Sequence, residues 1–103
     1  MQKSEHTIEY SIVENSWMAR VAALKLGAVS VAFVLGKKIY LFNVTKEEFL
    51  KNDAWFRHEL CHIHQFKRYG FLNFIVRYIW QSIRHGYYNN KYEAEAREAE
   101  NVA

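Results

Sequence analysis

The chain has 103 residues, which fits a single domain spanning residues 1–103. Half of the residues are hydrophobic and 17% are aromatic, which is enough apolar surface for a packed core and excludes an intrinsically disordered chain. The net charge is only +3 and the basic residues form no continuous run, so a nucleic-acid partner is not expected.

The cysteine content and the distribution of apolar residues predict a soluble, cytoplasmic protein. Cys61 has no second cysteine with which to form a disulfide, as is usual in a reducing compartment. Residues 1–9 are polar and do not resemble a secretion signal. The longest apolar stretch, residues 21–36, contains Lys25 and Gly27 and is shorter than the roughly 20 residues that span a bilayer.

The first quarter of the chain predicts a short strand followed by a helix. Residues 7–13 alternate apolar and polar side chains, which is typical of a strand or an extended arm. Ser16 is a suitable N-cap for a helix over residues 17–26, because its hydroxyl can accept a hydrogen bond from the first helical turn. Gly27 is expected to end that helix.

The next segment predicts a β-hairpin. Two runs rich in β-branched and aromatic residues, 29–35 and 38–44, lie on either side of the glycine-containing turn at residues 36–37. Thr45 and Glu48 then match a capping box, in which each side chain accepts a hydrogen bond from the other residue's backbone N–H. A short helix is therefore expected directly after the hairpin.

Three further helices are predicted in the second half. Asp53 is expected to cap the first, which ends at Gly70, and a second helix covers residues 71–85 and stops at Gly86. Asn90 is expected to cap the last helix. A helix, a hairpin and three or four further helices predict an α+β domain, with a small sheet packed on helices.

The helix that begins near Asp53 carries the HExxH motif, formed by His58, Glu59 and His62. Residues four apart on a helix lie about 40° apart around its axis, so both imidazoles can reach one ion. Glu59 lies about 100° from His58, where it cannot share the ion but can contact a water bound to it. The spacing therefore predicts two metal ligands and a general base.

The surroundings of the motif favour a metal site over a chance match within an ordinary core helix. One face of the helix mixes aromatic and polar residues that a plain amphipathic helix has little reason to turn inward. Its members are Trp55, His58, His62, Gln65 and Tyr69. A separate apolar arc, expected to face the core, contains Phe56, Leu60 and Ile63.

A catalytic zinc site needs a third protein ligand, and the last predicted helix offers two candidates. Glu93 and Glu95 lie about 200° apart around a helix, so only one of them can face the histidines. Glu93 has an alternative role, because it lies three residues after Asn90 and could complete a capping box. Glu95 has an alternative role as a solvated helix carboxylate.

The motif at residues 58–62, followed roughly thirty residues later by a helix that reads Glu-x-x-Ala, resembles the gluzincin metallopeptidases. In their membrane-bound heat-shock branch and in several small bacterial domains, the third ligand is the Glu of a Glu-x-x-Ala-Asp segment. Glu93 and Ala96 correspond to that segment, whereas Arg97 stands where the family has Asp. The resemblance covers roughly residues 56–98 and implies a minimal zincin-like domain.

The resemblance implies a zinc-dependent peptidase with one Zn²⁺ ion held by His58, His62 and Glu93. Glu59 would act as general base on a metal-activated water, and the substrate would be a peptide or protein. A strand of the predicted hairpin would pair with the extended substrate. The third ligand supplied by Glu93 is thus an expectation from the family, while the histidine pair also follows from helix geometry.

A peptidase of this type also needs a hydrogen-bond donor for the oxyanion. Three residues around the end of the helix over residues 71–85 are candidates for this role: His85, Tyr87 and Tyr88. Core or rim packing is the alternative for the tyrosines, and an interaction of His85 with the C-terminal end of its helix is the alternative for the histidine.

Two other functions fit the sequence. The chain lacks the second lobe that walls the cleft of larger gluzincins, so a non-catalytic metal-binding domain is the first alternative. The second is an interaction or membrane-surface module, because the helix over residues 71–85 is rich in aromatic residues and contains Arg77 and Arg84. In so small a domain we favour core packing of the aromatic residues of this helix, namely Phe71, Phe74, Tyr78 and Trp80.

Overall fold

The computed structural model describes residues 9–101, which form an α+β domain of five helices and a three-stranded sheet in that part of the chain. The predicted fold class and order of elements are confirmed, although residues 7–8 of the predicted first strand lie outside the described range. The elements are β1 (Ser11–Val13), α1 (Trp17–Leu26), β2 (Val31–Leu35), β3 (Lys38–Phe42), α2 (Lys46–Lys51), α3 (Asp53–Tyr69), α4 (Phe71–His85) and α5 (Lys91–Ala99).

The sheet is built on the predicted hairpin. β2 and β3 are antiparallel, with Val31 opposite Phe42 and Leu35 opposite Lys38. β1 pairs with β3 in the parallel direction, which gives the order β1-β3-β2 and makes β2 an edge strand. Gly36 has a φ of 66°, in the left-handed region that glycine enters without a Cβ clash, so the chain can reverse there.

Local side-chain caps define where the helices begin. The Ser16 hydroxyl accepts from the backbone N–H three residues later at 3.2 Å, and Thr45 and Glu48 form the predicted capping box. The cap of α3 is Asn52, whose side chain accepts from the N–H three residues later at 3.1 Å, and Asp53 is the first helical residue. Asn52 is the one residue between α2 and α3, and its non-helical backbone, with a φ of -90° and a ψ of 89°, lets its side chain turn back onto the first turn of α3.

The main core lies between the sheet and the helices that follow it. Its buried members come from both strands of the hairpin and from four helices: Val34, Ile39, Leu41, Phe49, Ile63, Phe66, Phe74 and Tyr92. Phe56 and Leu60 pack partly buried against this core, so the predicted apolar arc of α3 does face it. A smaller cluster, formed by Ala19, Ala23 and Val31, joins α1 to the sheet.

α4 divides its aromatic residues between the core and the surface. Phe74 is buried at 2% exposure and Tyr78 is partly buried, whereas Phe71 is 49% and Trp80 is 56% exposed. Core packing therefore accounts for two of the four aromatics and leaves an apolar face of α4 uncovered. Among residues 9–101, no helix combines the length and the apolar character needed to cross a bilayer.

Hydrogen bonds connect α5 to α3 at both ends of α5. Arg57 donates to the main-chain carbonyls of Ala99 at 3.2 Å and of Glu100 at 2.6 Å. At the other end, the Gln65 side chain donates to the carbonyl of Tyr92 at 3.1 Å. The start of α5 thus lies near the end of α3, and the two helices run antiparallel with facing side chains.

Candidate metal centre

Three side chains from α3 and α5 converge on one point. The ligand atoms of His58, His62 and Glu93 all lie within 4.8 Å of one another. His58 Nε2 lies 3.2 Å from Glu93 Oε1, and His62 Nε2 lies 3.2 Å from Glu93 Oε2. These groups are close enough to hold a metal ion, as the helical spacing of the histidines predicts.

Glu93 faces the histidines and does not act as a capping residue. The side chain of Asn90 caps α5 by accepting from the N–H of Tyr92 at 2.8 Å. Glu93 is 4% exposed, and its Oε2 accepts a hydrogen bond from the Tyr78 hydroxyl at 2.5 Å. Burial by itself would raise the pKa of Glu93, but hydrogen bonds from the two histidines and Tyr78 hold that pKa well below its usual value.

Glu100 supports His58 from the side opposite Glu93. Its Oε2 lies 2.7 Å from Nδ1 of His58, while Nε2 of the same ring points at Glu93. A metal-binding histidine commonly donates its second N–H to a carboxylate, which fixes its tautomer and orientation. Glu100 provides a carboxylate in this position, whereas Arg97 donates to the carbonyl of Tyr88 at 2.7 Å.

Gln65 supports His62 in the corresponding way. The Gln65 amide nitrogen donates to the carbonyl of Tyr92 at 3.1 Å and to Glu95 Oε1 at 2.7 Å. Its oxygen therefore faces Nδ1 of His62, at 2.8 Å, and must accept the proton of that nitrogen. When the His62 ring is neutral, its Nε2 therefore carries the lone pair that could bind a metal.

Glu95, the other candidate ligand, thus contacts Gln65, the residue that positions His62. It binds Gln65 rather than the histidines, and its second oxygen lies 3.9 Å from Arg68. The two carboxylates of α5 point in different directions, as their angular separation predicts.

The charge state of the histidines depends on Glu93. Burial by itself lowers the pKa of both His58 and His62, but the hydrogen bonds and the charge of Glu93 outweigh it. Glu100 adds to the effect at His58. The net result is a raised pKa for both histidines, so protons compete with a metal ion for these nitrogens.

Glu59 lies in the same cavity as the three candidate ligands. It is 5% exposed, and burial raises the pKa of its carboxyl to about 8. The charge of His62 lowers this pKa by a smaller amount, and the charge of Glu93 raises it further. A divalent cation at the site would lower this pKa, because a nearby positive charge favours the ionised carboxylate. A buried carboxyl thus lies beside three side chains that are close enough to hold a metal ion.

The cavity itself has a volume of about 340 Å³ and lies between α1, β2, α3 and α4. The whole of β2 lines one wall, and Ile75 and Ile79 of α4 line another. The three candidate ligands and Glu59 are thus bordered by apolar side chains on a concave surface. Such an arrangement is typical of a small-molecule or peptide site.

The three candidate oxyanion donors lie in different places. Tyr87 lines the cavity although it is 54% exposed, and partial burial together with the charges of Glu93 and Glu59 raises its pKa to about 12. Within the described part of the chain, the cavity lining does not include Tyr88 or His85, both of which are exposed. The guanidinium of Arg97 lies over the Tyr88 ring, 3.9 Å from its centroid.

Three supporting residues, Arg57, Tyr78 and Glu100, were not predicted from the sequence. Glu100 carried a usable signal, because it lies seven residues after Glu93, about two helical turns along the same face. Tyr78 is an aromatic residue in an apolar helix, and nothing in that pattern reveals that its hydroxyl meets Glu93. The Arg57 contacts are to main-chain atoms and leave no sequence signature.

Comparisons with family models, with curated proteins and with solved structures found no match to this chain. Two imidazole nitrogens and one carboxylate oxygen can coordinate a divalent cation, with a buried carboxyl beside it.

Proposed function

We propose that this protein is a zinc-dependent metallopeptidase that hydrolyses peptide bonds with Glu59 as general base. The observation that carries the proposal is the meeting of His58, His62, Glu93 and Glu59 in one cavity. The resemblance of the motif to the gluzincins supports it further. We also propose a cytoplasmic location, on the ground of the single Cys61.

Zinc fits the three ligands better than the hard cations do. Two histidine nitrogens and one glutamate oxygen are the protein ligands of one well-known class of catalytic zinc site, whereas magnesium and calcium prefer oxygen ligands. Both histidines also have a hydrogen-bonded partner at Nδ1, which leaves Nε2 for the metal. Bound zinc would supply Lewis-acid chemistry, polarising a carbonyl and acidifying a water.

Glu59 would move the proton during hydrolysis. As the water attacks the carbonyl carbon, Glu59 would accept its proton and then donate that proton to the leaving amine, so the carboxylate is regenerated. A pKa of about 8 without metal, lowered by a bound cation, would keep Glu59 ionised yet basic near neutral pH. Its 5% exposure would limit exchange of that proton with bulk water.

Tyr87 is the best placed of the three candidates for stabilising the oxyanion. It lines the cavity, and a pKa of about 12 keeps its hydroxyl protonated and able to donate at neutral pH. The hydroxyl of Tyr78 already donates to Glu93, so we assign it a positioning role.

β2 would hold the substrate. It is one of the two edge strands of the described sheet, and all five of its residues line the cavity beside the candidate metal centre. An extended peptide can add to such an edge through main-chain hydrogen bonds, which position a scissile bond without requiring a particular side chain. This arrangement fits a peptide or protein substrate.

Replacing Glu59 by glutamine tests the mechanism. We expect the E59Q variant to keep its metal and to lose cleavage of a peptide library by at least roughly a thousandfold, because the amide cannot accept the proton. The matched control is E98Q, at an exposed glutamate of α5. Cleavage by E59Q at the control rate would refute the role of Glu59.

Metal content tests the ligands separately from catalysis. H58A, H62A and E93A should each lose bound zinc, whereas E95A should retain it, because Glu95 contacts Gln65 and not the histidines. A wild-type protein that binds zinc but cleaves no peptide would favour the non-catalytic metal-binding alternative. Zinc retention by E93A would refute the proposed ligand set.

A further inference from the structure

The outer face of α4 is an apolar stripe. Five large apolar residues, each more than half exposed at 51–73%, follow one another at helical spacings of three, four and one: Leu72, Val76, Ile79, Trp80 and Ile83. Seen along the helix axis they fall within an arc of about 100°. We call this set the α4 stripe.

The fold cannot bury the α4 stripe by turning the helix. The opposite face of α4 already supplies Phe74 to the core and Tyr78 to the metal centre. Rotation that covered the stripe would remove both. Soluble monomers seldom leave a contiguous apolar patch of this kind uncovered, and such patches mark contacts with a protein or a membrane.

The exposed charged side chains on α4 itself are all positive. Residues 60–92 contain no aspartate or glutamate, and neither do residues 15–46, which include α1 and the hairpin. Two exposed arginines, Arg77 and Arg84, lie on α4 about 40–60° beyond Trp80 around the axis. The Arg84 guanidinium lies 5.6 Å from the centroid of the Trp80 ring. The surface therefore complements a partner that is apolar and anionic.

The same charges argue against a second copy of the chain as the partner. A symmetric contact through the α4 stripe would bring Arg77 and Arg84 of both copies together, with no acidic residue of α4 to pair with them. An amphipathic helix with tryptophan on its apolar face and arginine at the boundary is instead typical of helices that lie in a lipid headgroup region.

We propose that α4 docks on the surface of an anionic lipid bilayer. The α4 stripe enters the boundary between headgroups and acyl chains, with the indole of Trp80 at the interface. Arg77 and Arg84 contact lipid phosphates. Ile79 belongs both to the stripe and to the cavity lining, so docking brings the cavity beside the membrane surface. The surface contact itself does not require a metal or catalysis.

Sedimentation with lipid vesicles tests the proposal on the full chain. Vesicles of phosphatidylcholine alone are compared with vesicles in which about a third of the lipid is phosphatidylserine. We expect binding to the anionic vesicles, weakened by added salt, and little binding to the neutral ones. The V76N/I83N variant, which alters the stripe outside the cavity, should bind at least roughly tenfold more weakly.

A charge-matched pair of variants separates specific docking from general attraction. R77Q/R84Q should bind anionic vesicles roughly 30-fold more weakly, because each arginine near the surface contributes about 1 kcal/mol. K51Q/K67Q removes the same charge from exposed positions on α2 and α3 and should bind like wild type. Circular dichroism on every variant verifies that the fold is intact.

Three results would overturn the proposal. Equal weakening by the two charge pairs would mean that net charge alone attracts the protein. Failure of the wild-type chain to sediment with anionic vesicles would exclude docking. A protein dimer that is lost in V76N/I83N, without any vesicle binding, would assign the stripe to a protein contact.

Discussion

Replacing Glu100 by alanine is expected to weaken metal binding without removing a ligand. Glu100 lies 2.7 Å from Nδ1 of His58 and holds the ring so that Nε2 faces Glu93. Loss of such a supporting carboxylate costs about 10- to 100-fold in metal affinity. Because 37% of the Glu100 side chain is exposed, water replaces part of the lost bond. We therefore expect roughly a 10- to 30-fold loss, about 1.4–2 kcal/mol.

Competition for zinc against a coloured chelator measures this loss directly. E98A is the matched control, since Glu98 is an exposed carboxylate on the same helix. E100Q should fall between wild type and E100A, because the amide oxygen can still accept the proton of His58 but carries no charge. Docking of α5 should survive all three changes, because Arg57 binds main-chain carbonyls at this end of the helix.

Equal zinc affinity of E100A and E98A would refute this account of His58. The ring would then be held by its packing alone, and the contact with Glu100 would contribute nothing to the metal centre. A loss in E100A that is accompanied by reduced helix content would point to unfolding of α5 as its cause.

Q65A should lower the free energy of unfolding by roughly 2–4 kcal/mol in urea, because the buried amide bridges α3 and α5; a loss under about 1 kcal/mol would contradict this. Y78F should weaken zinc binding roughly tenfold in the chelator assay, and unchanged affinity would exclude a positioning role. Metal-free protein should melt at a higher temperature near pH 5.5 than near pH 8. The raised pKa values of His58 and His62 stabilise the fold below about pH 6.5, and this contribution is lost as the pH rises through those values. Burial raises the pKa of Glu59 to about 8, so the stability of the fold also falls as the pH rises towards that value. A melting temperature that rises over this range would refute the assignment.

Features set by short stretches of sequence were predicted well. The capping box at Thr45 and Glu48, the cap at Ser16 and the turn at Gly36 all depend on residues a few positions apart. The histidine pair belongs to the same class, because the helix alone brings His58 and His62 together.

Most features that depend on how the helices pack were not predicted, and Glu93 is an exception because the family resemblance placed it at the histidines. The antiparallel pairing of α3 and α5 decides that Glu100 reaches His58, and helical periodicity within one helix does not specify its partner. The division of α4 between core and surface is similar, because Phe71 and Trp80 differ from Phe74 in their position around the axis and not in their chemistry. The cap of α3 was misplaced by one residue, because Asn52 and Asp53 are both suitable caps.

A cation held between His58 and Glu93 would join positions 35 residues apart in the chain and so close a loop that contains the whole of α4. A covalent cross-link around a loop of that length reduces the entropy of the unfolded chain by an amount equivalent to about 3–4 kcal/mol. Such an ion would thus act as a removable cross-link, and its removal would loosen the attachment of the last helix.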